Sequence, residues 1–156
     1  MSSGISASSG LTGSYGEHLS SKSNYDRLRA AQQLGKEAVF GAELSFPHAL
    51  RKQLTKALND DEPDVRTAAA TTLIKFGARA VDALAAEIKS DADEAGPCAF
   101  VLKKIGSAAV PELQRMLQDV DGTARLKAVL SCGVLGRSAV NVVPELLKMV
   151  DGDMDP

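Results

Sequence analysis

The sequence predicts an all-α fold, a solenoid of about four stacked helix pairs, and three observations point there. Gly77, Gly106 and Gly136 are spaced 29 and 30 residues apart, and self-similarity at a fixed period of this size marks a stacked-repeat architecture. The same small-and-aliphatic frame precedes each glycine. Leu73, Leu102 and Cys132 stand four positions before it, Ala69, Cys98 and Ala128 eight before, and Arg66, Ala95 and Arg125 eleven before. Hydrophobic residues make up 44% of the chain but aromatic ones only 4%, so the core is aliphatic and alanine-rich, which suits closely packed helices.

Residues 1–24 differ in composition from the rest of the chain. Thirteen of them are Ser or Gly, too polar to offset the entropy of ordering. They read as a Ser/Gly-rich tail or tether, with Leu11, Tyr15 and Leu19 as anchors that order on a partner. Residues 25–156 form the repeat domain.

The first repeat pairs a helix near 25–40 with one near 46–59. The second pairs 63–76 with 79–90, and Asn59-Asp60-Asp61-Glu62-Pro63 supplies capping side chains and a proline for its first helix. The third pairs 94–105 with 108–119. Gly96-Pro97 stands where the neighbouring repeats have Thr67-Ala68 and Leu126-Lys127, so this helix starts late, near Pro97, because proline is tolerated only in a first turn. The fourth pairs 123–136 with 139–150. The repeat glycines fit the left-handed position after a helix end. Pro47, Pro111 and Pro144 fall in the first turn of second helices. Apolar residues recur there at helical spacing: Leu50, Leu54 and Leu58; Val81, Leu84 and Ile88; Val110, Leu113 and Leu117; Val143, Leu146 and Val150. Leu73, Leu102, Leu113 and Leu146 are expected in one continuous core. Asp151-Gly152-Asp153-Met154-Asp155-Pro156 resembles the acidic connector at Asp60. Either the natural chain continues beyond it or the last repeat's apolar flank is uncapped.

Charge and cysteines narrow the function classes. The net charge of −2 argues against bulk electrostatic binding to nucleic acid or an anionic membrane. Residues 25–58 carry six basic and three acidic side chains, and residues 59–122 carry seven and twelve. Arg51, Lys52 and Lys56 lie along one helix but lack the interleaved aromatics that stack bases, so nucleic acid is not the expected partner. No apolar run reaches the ~18 residues a membrane span needs. Cys98 and Cys132 occupy positions that other repeats fill with Ala or Leu. They are expected to be reduced and buried, placing the chain inside a cell, in the cytoplasm or an organelle interior.

Catalytic and metal constellations are not found. His18 and His48 have no His, Cys or carboxylate at metal-ligand spacing, and no cofactor is expected. Asp151, Asp153 and Asp155 echo the opening of a calcium loop but lack its sixth-position glycine and distal glutamate. Arg66 and Arg125 each follow an aspartate by six residues, Asp60 and Asp119, which suggests charge-assisted hydrogen bonds at helix starts.

Asp64-Val65-Arg66, Ala68-Ala69-Ala70, Leu73, Gly77, Ala80-Val81 and Leu84 resemble the short HEAT-like repeat of phycobilisome-lyase type. Ala109-Val110-Pro111-Glu112-Leu113 and Val143-Pro144-Glu145-Leu146 are similar to its second-helix opening. The resemblance covers about residues 25–150 and implies a right-handed superhelix that binds through a concave face lined by second helices. The residues this places toward a protein partner are Arg51, Lys52, Lys56, Glu87, Lys89, Gln114, Arg115, Gln118, Glu145 and Lys148. The function expected is a non-catalytic protein–protein interaction module, a scaffold or subunit of a larger complex. The alternative is a lyase-like protein that binds a bilin or its carrier protein.

Overall fold

A computed structural model describes residues 14–40, 47–88 and 96–152. Every regular element among them is helical, with no strand. The chain divides into two compact units, Met1–Phe76 and Gly77–Pro156.

The first unit holds α1 (14–19), α2 (Asn24–Phe40), α3 (His48–Lys56) and α4 (Pro63–Phe76). Helix α4 covers the span expected from the sequence. It buries Val65, Ala69, Thr72, Leu73 and Phe76, spaced by four, three, one and three residues, which is one helical stripe. That stripe packs on α2, where Ala30, Ala31 and Leu34 are buried, while Leu50 and Leu54 come from α3. The approach of α2 and α4 is close at Gly35: a Cβ there would lie 2.6 Å from Thr72 Oγ1. Thr72 is itself buried, and its hydroxyl donates to the Ala31 carbonyl at 2.7 Å, so this hydroxyl is satisfied inside the core.

Helix α1 departs from the expectation that residues 1–24 carry no structure of their own. Leu19 is buried and the Tyr15 hydroxyl donates to Glu37 of α2. Local composition disfavours a helix here; tertiary burial of one leucine and one ring outweighs it. Leu11 lies outside the described residues.

The second unit holds α5 (Val81–Glu87), α6 (Pro97–Ile105), α7 (Val110–Leu117), α8 (Gly122–Leu135) and α9 (Val143–Val150). Helix α6 does begin at Pro97. Second helices begin a few residues later than the spacing suggests, because 3-10 segments at Gly77–Ala80, Gly106–Ala109 and Gly136–Val142 precede them. Each starts at a repeat glycine, with φ of 57°, 62° and 53°. At Gly106 and Gly136 ψ is −136° and −121°. This corrects the left-handed helical assignment. The values resemble the first central position of a type II′ turn, which favours glycine. The cap of α8 is Asp121, whose side chain accepts from the Thr123 N–H at 2.9 Å.

Helices α5, α6, α7 and α8 enclose a core in which Leu84, Val101, Leu102 and Leu113 are fully buried. Cys98 and Cys132 are free and buried there, as the repeat frame predicts. Leu146 is a correction: it is only half-buried, and α9 has no buried residue. Its periodicity is that of a core helix, but no described element covers its outer flank. Val143, Leu147 and Val150 stand exposed beside Val140. Gly122–Val150 is long and apolar enough, by length and composition, to cross a membrane. Here a 3-10 segment separates α8 from α9, with Ala139 at φ −103° and ψ 16°.

Candidate functional site

The second helices carry most of the polar residues singled out by the sequence. In the first unit, Lys52 and Lys56 of α3 are exposed and Arg51 is half-buried. In the second unit, Glu87, Arg115, Gln118 and Lys148 are exposed, while Gln114 and Glu145 are half-buried. Lys89 lies outside the described residues. Two members of the set are brought together: Gln114 Nε2 donates to Glu145 Oε1 at 3.2 Å, linking α7 to α9. Arg115 turns toward its own helix, donating from Nε to Glu112 Oε2 at 3.0 Å. That carboxylate holds the guanidinium's pKa above its ordinary value. An i, i+3 ion pair on an exposed face adds little stability, so this pair fixes orientation more than it stabilises the fold.

Of the expected tail anchors, Leu19 and Tyr15 make contacts with their own chain. Burial, followed by the Glu37 hydrogen bond and charge, pushes the Tyr15 phenol up to about 12. Tyr15 therefore stays neutral and donating across the physiological range.

The arginines form a recurring device. Arg66 Nη1 donates to the carbonyls of Asp60 at 2.7 Å and Asp61 at 3.0 Å. Arg125 Nη1 donates to Asp119 at 2.7 Å and Val120 at 2.9 Å. Each guanidinium thus caps the carbonyls six and five residues before it and ties the connector to the first helical turn. The positions are legible from spacing, which points to the aspartate carboxylates; the acceptors are backbone. A third copy escapes sequence reasoning. Arg27 Nη1 donates to Ser21 at 2.9 Å and Lys22 at 3.2 Å. Backbone acceptance needs no aspartate, so Ser21 hides the signal, and the 39 residues from Arg27 to Arg66 fall outside the period of 29 and 30, so spacing hides it as well.

Arg27 has a second role. Its Nε and Nη2 grip the Asp60 carboxylate at 2.7 and 2.9 Å. The two side chains are only 16% and 11% exposed. The guanidinium holds the Asp60 carboxyl below its usual range. The third repeat has Ala95 at the corresponding position.

Burial pushes both thiols up to about 11, with repulsion from Glu87 adding at Cys98. They are packing groups rather than nucleophiles. Among the described residues, no group of three or more His, Cys, Asp or Glu side chains is placed to hold a metal ion.

The family model for HEAT repeats matches residues 16–96, beginning inside α1. No curated protein matches the chain. Among solved structures, the crystal structure of an engineered protein is similar over 90% of this chain and 72% of that chain, at 18% identity and a TM-score of 0.41. The fold assignment rests on the helices and the family match, not on that likeness.

Proposed function

The chain belongs to the HEAT-repeat family, and from that premise we propose that it is a non-catalytic protein–protein interaction module, a scaffold or subunit of a larger assembly. It binds a protein partner through the polar faces of its second helices. The observation that carries this reading is the exposure of Lys52, Lys56, Glu87, Arg115, Gln118 and Lys148 on those helices. The apolar sides of α3, α5 and α7 are spent on the core, so their polar sides are the surface left for recognition. Rim charges of this kind set partner choice and association rate more than affinity. The period of 29 and 30 residues supports the short, phycobilisome-lyase type of repeat within the family. The two free, buried cysteines accord with a reducing compartment.

Affinity capture with quantitative mass spectrometry tests this. The wild-type chain is compared with Lys52→Glu/Lys56→Glu and with Glu87→Lys/Lys148→Glu. A partner retained by the wild type and lost by a charge-reversed chain of unchanged melting temperature supports the reading. Identical capture profiles for all three chains contradict it.

A further inference from the structure

We propose that the groove between α2 and α4 is a second docking surface, and that its occupant is an extended acidic segment of a partner protein. The inference does not depend on the second-helix faces, because α2 and α4 are the first helices of their repeats.

The two helices lie side by side and run in the same direction. The Arg27 guanidinium holds Asp60 just before α4. Further along, Thr72 donates to the Ala31 carbonyl, and Lys75 Nζ donates to the Gly35 carbonyl at 3.2 Å. Small residues at this contact, Gly35 and Ala68 among them, leave an open groove of about 560 Å³. Leu28, Gln32 and Lys36 form one wall, and Thr67, Thr71 and Lys75 the other. A concavity of about 390 Å³ shares Leu28, Gln32 and Lys36 and adds Tyr25 and Arg29, so the two make one continuous surface.

The charge of that surface is unbalanced. Arg29, Lys36 and Lys75 are all exposed. Among the described residues, neither Arg29 nor Lys36 takes a hydrogen-bond or ion-pair partner. The carboxylates of α2 are engaged elsewhere: Asp26 accepts from Ser21 Oγ at 3.1 Å, and Glu37 accepts from Tyr15 and Gln33. Asp64 also lines the groove, but at its far end, in the first turn of α4, where it complements the helix start. Lys75 Nζ lies 3.8 Å from where a Cβ on Gly35 would stand, so it sits beside Lys36 at one end of the groove.

Uncompensated cations around a concave surface select an anionic partner. Lys36 and Arg29 are two helical turns apart, about 10 Å along α2. Carboxylates three residues apart on an extended chain span about the same distance. Thr67 and Thr71 donate to the carbonyls of Pro63 and Thr67, which leaves their oxygens as acceptors, and the Gln32 amide both donates and accepts. An extended segment has free backbone groups to meet them; a helix does not. Tyr25 is the surface's lone aromatic ring, too little for base stacking, and the net charge of −2 opposes a polyanion.

The probe is a fluorescent peptide, GSESSESG, titrated with the full chain at low salt and followed by anisotropy. Replacing both peptide glutamates with glutamine, or introducing Arg29→Glu/Lys36→Glu in the protein, should weaken binding about tenfold or more. Thr71→Trp fills the groove from an exposed position and should do the same without changing charge. Lys52→Glu/Lys56→Glu should leave peptide binding intact, which separates this surface from α3. An unchanged melting temperature certifies each variant's fold. Absent binding at millimolar protein, or binding indifferent to Thr71→Trp, overturns the proposal. So does binding lost on reversal at Lys52 and Lys56, which moves the site to α3. A single-stranded oligonucleotide or anionic vesicles that bind more tightly than the peptide, and lose binding with Arg29→Glu/Lys36→Glu, would assign the groove to nucleic acid or lipid and overturn it equally.

Discussion

Arg27 and Asp60 are joined by two parallel hydrogen bonds, Nε to Oδ2 at 2.7 Å and Nη2 to Oδ1 at 2.9 Å, across 33 residues of sequence. The pair ties the start of α2 to the connector before α4. Asp60 titrates below its ordinary value of 3.8 because the guanidinium donates to it. A depressed carboxyl contributes stability above the unfolded pKa and loses it as pH falls through the folded one. Asp60→Asn should therefore lower the melting temperature at neutral pH and flatten the loss of stability below about pH 4. Melting curves between neutral and acid pH check this; an unchanged acid limb would contradict it.

Burial distinguishes two leucines that the sequence places in one core. Leu102 is fully buried and Leu146 half-buried. Leu102→Ala leaves a sealed cavity and should cost about 2–5 kcal/mol. Leu146→Ala leaves a dent open to solvent and should cost roughly 1 kcal/mol. Equal losses in urea denaturation would show that α9 is covered in solution by something the isolated chain supplies.

Two glycines should respond oppositely to alanine. Gly106 holds φ at 62° and ψ at −136°, and a Cβ there should cost about 1–3 kcal/mol. Gly133 lies inside α8 with open space around it, so Gly133→Ala should stabilise by about 0.5–1 kcal/mol. The same denaturation series reads both signs.

Much of the fold is legible in the sequence, for identifiable reasons. Pro63 and Gly77 bracket α4, whose bounds follow from them, and Pro97 marks the late start of α6. The glycine period finds the repeats. What stays hidden depends on contacts between elements. Periodicity shows that α9 is amphipathic, but cannot tell whether another layer covers Leu147 and Val150. A Ser/Gly-rich segment gives no local sign that Leu19 will be buried. Of the polar residues read from the second helices, Lys52, Lys56, Glu87, Arg115, Gln118 and Lys148 are exposed, while Arg51, Gln114 and Glu145 are half-buried. The Gln114–Glu145 link and the turn of Arg115 toward Glu112 arise from packing and rotamer choice.

The thiols give a further check. Values near 11 leave roughly one thiol in a thousand ionised at about pH 8, and only the thiolate reacts. Cys98 and Cys132 should label with maleimide at the rate of unfolding, and denaturant should make labelling immediate. Fast labelling of either in the native state would contradict their burial.

The central claim, that this HEAT-repeat chain serves as a protein-binding module through its second helices, is tested most directly by hydrogen exchange. The chain is measured alone and in the complex isolated by affinity capture. The account predicts slowed exchange on complex formation in α3 and in α5, α7 and α9, with the first helices α4 and α6 little changed. A complex that leaves those four second helices exchanging as fast as in the free chain would contradict it.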